Sequence, residues 1–262
     1  MGGGGVVEAA GRSRPAVSLY TRRSLVMQLT LLPRRILLAL SAIVVLLTIA
    51  NAAVLWVKFR WGHDSLYGLT PLFDFNREGN LPAFYSACSL LLAAVLFLVI
   101  AGQARKCNDP WRRHWAGLGA VFLFLAVDEA AELHGLLSLP LRRLAHTEGP
   151  LFFAWVIPYG ILTLAFAVAY LRFFWALPRQ PRLLLGVAGV VYVVGALGLE
   201  LVGGAMVSAR GGLDAALDYW LHAVFYTIEE ILEMAGVLIA IYALLQYIAT
   251  QRITLSLRAA AE

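Results

Sequence analysis

Residues 83–102 read AFYSACSLLLAAVLFLVIAG, a run of 20 residues without a charged side chain. An α-helix needs about 20 apolar residues to cross the hydrocarbon core of a bilayer. Similar apolar runs precede and follow this one, at 36–57, 115–137, 152–176, 183–206 and 220–248. Because a chain inside lipid must satisfy its own backbone hydrogen bonds, each run is predicted to be helical. The sequence therefore predicts an all-α polytopic membrane protein with a six-helix transmembrane bundle.

The composition agrees with this class and excludes others. Hydrophobic residues make up 61% of the chain and charged residues only 14%, a balance unlike that of soluble domains. We expect a mobile cytoplasmic tail over 1–34, the transmembrane domain over 35–250 and a second cytoplasmic tail over 251–262. The net charge of +5 does not require a nucleic acid partner, because the basic residues flank the spans as they do in membrane proteins. The lipid bilayer is the expected partner.

Basic residues in the short loops predict the orientation of the chain. The second loop holds Arg105, Lys106, Arg112 and Arg113, and the fourth holds Arg179 and Arg182. Loops rich in Lys and Arg face the cytoplasm, so both termini are predicted to be cytoplasmic. We expect a bacterial cytoplasmic (inner) membrane location.

Acidic residues inside the spans are the main functional signal. The acids of the third, fifth and sixth spans are Asp128, Glu129, Glu132, Glu200, Glu229, Glu230 and Glu233, and the sixth span also carries His222. No Lys or Arg lies deep within a predicted span. Carboxylates in hydrocarbon must take up protons, bind cations, line a wet cavity or pair with a loop arginine, for which Arg77 is the candidate.

Helical periodicity places these groups on defined faces. At about 100° per residue, His222, Tyr226, Glu229 and Glu233 form one stripe, with Glu230 at its edge. Asp128, Glu129 and Glu132 share a face of the third span, whereas His134 is predicted to point elsewhere. We expect the two acidic faces to meet, with Glu132 close to Glu233.

Two antiparallel helices that each offer Glu-x-x-Glu are typical of carboxylate metal sites in helical bundles. Oxygen-rich ligation of this kind suits iron, manganese, calcium or magnesium better than a metal that prefers thiolates, and zinc is a further candidate. The predicted divalent metal ligands are Glu129, Glu132, Glu200, His222, Glu230 and Glu233, with Asp128, Glu229, Tyr226 and Arg77 in supporting positions. The alternative is that the acids are neutral and hydrogen-bond the helices together.

Two shorter patterns bear on this hypothesis. The segments 128–135 and 229–236 both read acid-Glu-x-x-Glu-x-x-Gly, and each lies in the third helix of a set of three. Such a pair is compatible with an inverted repeat of the kind found in transporters. Residues 74–80 match the first half of a calcium loop, but Tyr85 occupies the position of its last carboxylate. A polar turn that leads into the second span is the favoured interpretation.

Four segments carry a family resemblance: DFNREGNLP at 74–82, DEAAELH at 128–134, GALGLELVGG at 195–204 and EEILE at 229–233. Together they resemble a group of uncharacterised bacterial multi-pass membrane proteins, a resemblance that implies no activity. A fainter one is to iron permeases, which carry Arg-Glu-x-x-Glu in membrane helices. Asp128 and Glu229 stand here where that motif has arginine.

Three classes of function remain. The first is a cation- or proton-coupled permease for a small cation or small molecule, favoured by acids without basic partners. The second is a metal-dependent membrane enzyme with its site open to the outer leaflet. The third is a structural or assembly subunit with neutral buried acids. Motifs for nucleophilic catalysis, phosphate binding or dinucleotide binding are not visible, and the oligomeric state stays open.

Overall fold

A computed structural model describes Met1, Gly2 and residues 32–253 of the chain. The described part of the main body is built from helices and their connections, without a β-strand. The predicted tails, 1–34 and 251–262, lie almost entirely outside the described residues, although Pro33 and Arg34 already belong to the first helix.

Six helical segments in the described residues are long and apolar enough to cross a membrane, as the sequence predicted. They are α1 (Pro33–Trp61), α3 (Leu81–Lys106), α4 (Arg112–Ala131), α6 (Val156–Ala176), the continuous segment Arg179–Ala209, and α10 (Trp220–Thr250). The segment Arg179–Ala209 consists of α7 (Arg179–Val193), a π-helical turn (Val194–Leu199) and α8 (Glu200–Ala209). The connections contain α2 (Leu69–Phe73), α5 (Leu133–Ala145) and α9 (Leu213–Leu217).

The third span is shorter than the sequence predicted. It ends at Ala131 because Glu132 adopts a left-handed conformation, with φ 52° and ψ 40°. Left-handed backbone is uncommon for a residue with a side chain and ends the run of helical hydrogen bonds. Residues 133–137, predicted to continue the span, belong instead to α5.

The core lies where α3, α4 and α10 pack together. Trp115 of α4 is almost fully buried and contacts the rings of Phe97, Phe173 and Tyr247. Helices α3 and α10 have the largest share of buried residues, whereas few residues are buried in α1, in α6 and in the segment Arg179–Ala209. In a membrane protein such exposed apolar faces meet lipid. The bundle therefore has two central helices with the other spans around them.

Polar capping positions α3. Asn80 precedes the helix, accepts a hydrogen bond from the Ala83 N–H at 3.0 Å, and donates to the carbonyl of Asp74 at 2.8 Å. Pro82 lies in the first turn, where its missing N–H costs nothing. Residues 74–80 thus form the polar turn into the second span that the sequence favoured.

Candidate functional site

The break at Glu132 is held by Asp128, which is buried. Its Oδ1 accepts hydrogen bonds from the His134 N–H at 2.8 Å and from the Tyr159 hydroxyl at 3.1 Å. The Nδ1 of His134 lies 3.4 Å from Asp128 Oδ2. The prediction that His134 points away from the acidic face is therefore wrong. It assumed a continuous helix, and the left-handed turn at Glu132 brings His134 back onto Asp128.

Two titratable groups near this break, His134 and Glu78, have shifted pKa values. Burial alone would lower the pKa of His134, but the hydrogen bond to Asp128 and the charges of Asp128 and Glu78 outweigh it and raise the pKa. Glu78 is accessible at the surface. Even so, partial removal from water raises its pKa, as do the charges of Glu132 and Asp128, while His134 lowers it. Both groups hold protons more tightly than free side chains do.

We expect the Asp128–His134 pair to stabilise the protein at low pH. A raised folded-state pKa means that the contribution is fully present below about pH 6.5, the unfolded value. It is lost as pH rises through the higher folded value. Thermal unfolding in detergent across pH measures this, and His134→Gln should remove a component on the order of 1 kcal/mol. His63→Gln, in an exposed loop, is the control. Identical pH profiles for wild type and His134→Gln would contradict the role of the pair.

Four glutamates on α4, α8 and α10 are related by the charges that act on them. The charge of Glu129 acts on both Glu230 and Glu233, so these residues of two spans lie within electrostatic range of one another. The charge of Glu200 also acts on both, and its Oε1 accepts a hydrogen bond from Trp155 Nε1 at 2.8 Å. We call Glu129, Glu200, Glu230 and Glu233 the carboxylate cluster. Each of its members is half-buried.

Glu132 does not belong to this cluster. It is exposed at the end of α4, and its charge acts on Glu78 of the preceding loop. Glu129, and not the predicted Glu132, is among the residues whose charge acts on Glu233. The two acid-Glu-x-x-Glu-x-x-Gly segments also differ in structure, because the helix ends at Glu132 but continues through Glu233.

His222 and Tyr226 lie at a separate polar node, near the start of α10. The Tyr226 hydroxyl donates to Asp74 Oδ1 at 3.0 Å, and the His222 ring packs edge-on against Tyr226. Arg77 is exposed, and its charge acts on Tyr226. His222 is buried, and its Nδ1 has no hydrogen-bond partner among the residues that the structure describes. These residues thus join the loop before α3 to α10, while Glu229 contacts α7–α8 through its backbone.

Sequence reasoning missed Asn51, a fully buried side chain in the middle of α1. Its Nδ2 donates to Thr227 Oγ1 at 2.9 Å, and its Oδ1 accepts from the Phe75 N–H at 3.0 Å. An asparagine inside an apolar run was the available signal, because a polar amide in a span needs partners.

Sequence reasoning also missed the π-helical turn next to Glu200. At Gly195, inside this turn, an added Cβ would lie 3.0 Å from the Glu229 carbonyl and 3.1 Å from Glu233 Cγ. The turn therefore packs directly on the acidic stretch of α10. Such π turns occur frequently at functional sites. The pair Gly195 and Gly198 ahead of Glu200 was the only signal for it.

Donor geometry gives the predicted metal site no support. Across residues 32–253, no three His, Cys, Asp or Glu side chains are grouped closely enough to hold a metal ion. The ligand set Glu129, Glu132, Glu200, His222, Glu230 and Glu233 is divided among the carboxylate cluster, the surface at Glu132 and the Tyr226 node.

The fold and the intramembrane acids define a polytopic, all-helical integral membrane protein. The chain belongs to the family described as Domain of unknown function (DUF8692), whose model matches residues 33–248. This match fits the resemblance to an uncharacterised membrane protein family. No curated protein and no solved structure matches the chain.

Proposed function

We propose that this protein is a proton-coupled permease, in which the carboxylate cluster takes up and releases protons as a small cation or small molecule crosses the membrane. One observation carries the proposal. Glu233 of α10 lies against the π turn that precedes Glu200, because a Cβ added at Gly195 would lie 3.1 Å from Glu233 Cγ, and the charges of Glu129 and Glu200 act on both Glu230 and Glu233.

Electrostatics supports a proton-binding role for such a cluster. Carboxylates that share a site of low dielectric cannot all ionise, so some of them retain protons. A cation that enters the cluster compensates the negative charge, so the carboxylates release those protons. When the cation leaves, the carboxylates take up protons again. Proton release and substrate entry are thereby linked, which is the property that a coupled permease needs.

Two features around the cluster support the proposal. The charge of the accessible Glu78 acts on both Glu230 and Glu233. Titratable groups therefore extend from the surface toward the cluster. On the other side, the π turn at Gly195 packs on α10 with little space between them. A π turn can revert to α-helical geometry by a local shift of register, which would move Glu200 relative to α10.

The orientation is part of the proposal. The arginines between α3 and α4 and between α6 and α7 support cytoplasmic termini and a bacterial inner-membrane location. The cluster then lies in the outer half of the membrane, because α4 runs outward toward Glu132 and α10 runs inward from Trp220.

The test uses purified protein in vesicles that contain a pH-sensitive dye, with a more acidic medium outside. Salts of Fe²⁺, Mn²⁺, Zn²⁺ and Ca²⁺ and a mixture of amino acids are added one at a time. We expect at least one of them to change the rate of internal acidification in wild type. Glu233→Gln should reduce that dependence by about tenfold or more, the effect typical of losing a proton-transfer group.

Asp214→Asn is the matched control, since Asp214 is an exposed acid in the short α9. It should retain the wild-type response. If folded wild-type protein shows no solute-dependent proton movement with any addition, the permease proposal fails. The acids would then act as neutral contacts between helices.

A further inference from the structure

A second site lies on the same side of the bundle, outside the carboxylate cluster. A cleft of about 720 Å³ opens between the end of α5 and the connection from α8 to α9. Its lining includes Arg142, Arg143, His146 and Thr147 on one side and Ser208 and Gly212 on the other. No function proposed above uses these residues.

The cleft is basic, and some of its hydrogen-bonding groups have no partner among the described residues. Among the described residues, neither Arg142 nor Arg143 forms an ion pair, although Glu148 also borders the cleft. Arg142 lies over the Phe152 ring, 4.1 Å from its centroid, which fixes the position of its guanidinium. Within the described part of the chain, the Thr147 hydroxyl oxygen is buried without a hydrogen-bond partner. Two guanidinium groups are strong, charge-assisted donors to a phosphate group, and a nearby hydroxyl can add a further hydrogen bond.

Helix α5 places this cleft at the membrane surface. It follows the end of α4, contains Pro140, and exposes several large apolar side chains, among them Leu136, Leu139 and Leu144. An amphipathic helix with exposed leucines and basic residues lies in the interface between lipid and water. The arginines near the end of α5 then lie at the level of lipid headgroups.

We propose that the cleft binds the phosphate of an anionic phospholipid headgroup, whose acyl chains lie against the exposed leucines of α5. A soluble phosphate ion would match the arginines but would gain nothing from the apolar face. A zwitterionic lipid would carry its own ammonium group toward two guanidinium groups. The combination of cationic cleft and apolar helix therefore selects an anionic lipid.

The experiment measures lipid retention by native mass spectrometry of purified protein with phosphatidylglycerol or phosphatidylcholine. We expect wild type to retain phosphatidylglycerol preferentially. The double variant Arg142→Gln/Arg143→Gln should weaken that retention about tenfold or more, since each basic residue near a membrane surface contributes about 1 kcal/mol. Thr147→Val should weaken it less, because it removes one neutral hydrogen bond.

Arg112→Gln/Arg113→Gln is the matched control, an adjacent exposed arginine pair at the opposite end of α4. It should leave retention unchanged. Equal losses in the two double variants would show general charge attraction and overturn the site. So would retention of phosphatidylcholine as strong as that of phosphatidylglycerol, or displacement of the lipid by millimolar inorganic phosphate. Thermal unfolding of each variant verifies that the fold is intact.

Discussion

Replacement of Asn51 by leucine should destabilise the protein by about 1–3 kcal/mol, the cost of a buried polar group left without its partner. Asn51 is fully buried and links α1 to two other parts of the structure. Leucine has a similar size but can neither accept from the Phe75 N–H nor donate to Thr227. Because α1 buries little of its own surface, few other contacts can compensate for the loss.

Two comparisons separate this effect from general disruption. Thr227→Val should cost less, about 0.6 kcal/mol as for membrane hydrogen bonds on average, since the Thr227 hydroxyl donates within its own helix to the Ala223 carbonyl. Asn76→Leu, at an exposed position, should be near neutral. Unfolding in mixed micelles, followed by tryptophan fluorescence, measures all three. Wild-type stability of Asn51→Leu would show that the bridge contributes nothing.

The spans were predictable because their signal is local. An apolar run of sufficient length must become a helix inside lipid, whatever surrounds it. The segments found at 81–106 and 220–250 match the predicted runs to within a few residues. The charge of the loops likewise predicts how the chain is oriented in the membrane. The helices alone do not test that orientation.

The break at Glu132 was not predictable, because the local sequence Ala-Ala-Glu-Leu favours helix. The bonds that Asp128 makes with His134 and Tyr159 compensate for the unusual backbone, and Tyr159 is remote in sequence. Three of the misses in the candidate site follow from this one turn. It releases Glu132 to the surface, leaves Glu129 as the α4 residue whose charge acts on Glu233, and returns His134 to Asp128.

Periodicity on α10 was informative within limits. It placed Glu229 and Glu233 on one stripe with Glu230 at its edge, but the partners of each acid depend on which helix packs opposite. The charge of Glu129 acts on both Glu230 and Glu233, whereas the backbone of Glu229 contacts Gly195. One helix viewed alone carries no information on the helix that packs against it.

The substitution Gly236→Ala should destabilise the contact of α10 with α7 by about 1–3 kcal/mol, the range for overpacking in a tight core. An added Cβ would lie 2.8 Å from Tyr192 Cβ, 2.9 Å from the Ala188 carbonyl oxygen and 2.9 Å from Tyr192 N. Two of these atoms belong to the backbone of α7, so a side-chain rotation cannot relieve the clash and the helices must separate. Small residues permit such close approach between membrane helices.

Gly189→Ala is the control for this substitution, because Gly189 lies on α7 and an added Cβ there has no neighbour within 4 Å in the described residues. Alanine favours helix over glycine by about 1 kcal/mol, so Gly189→Ala should be neutral or stabilising. The two variants carry the same chemical change and the same helix propensity, and therefore differ only in packing. Unfolding in mixed micelles should separate them by more than 1 kcal/mol. Equal stabilities would contradict the close contact between α7 and α10, on which the position of Glu233 beside the π turn depends.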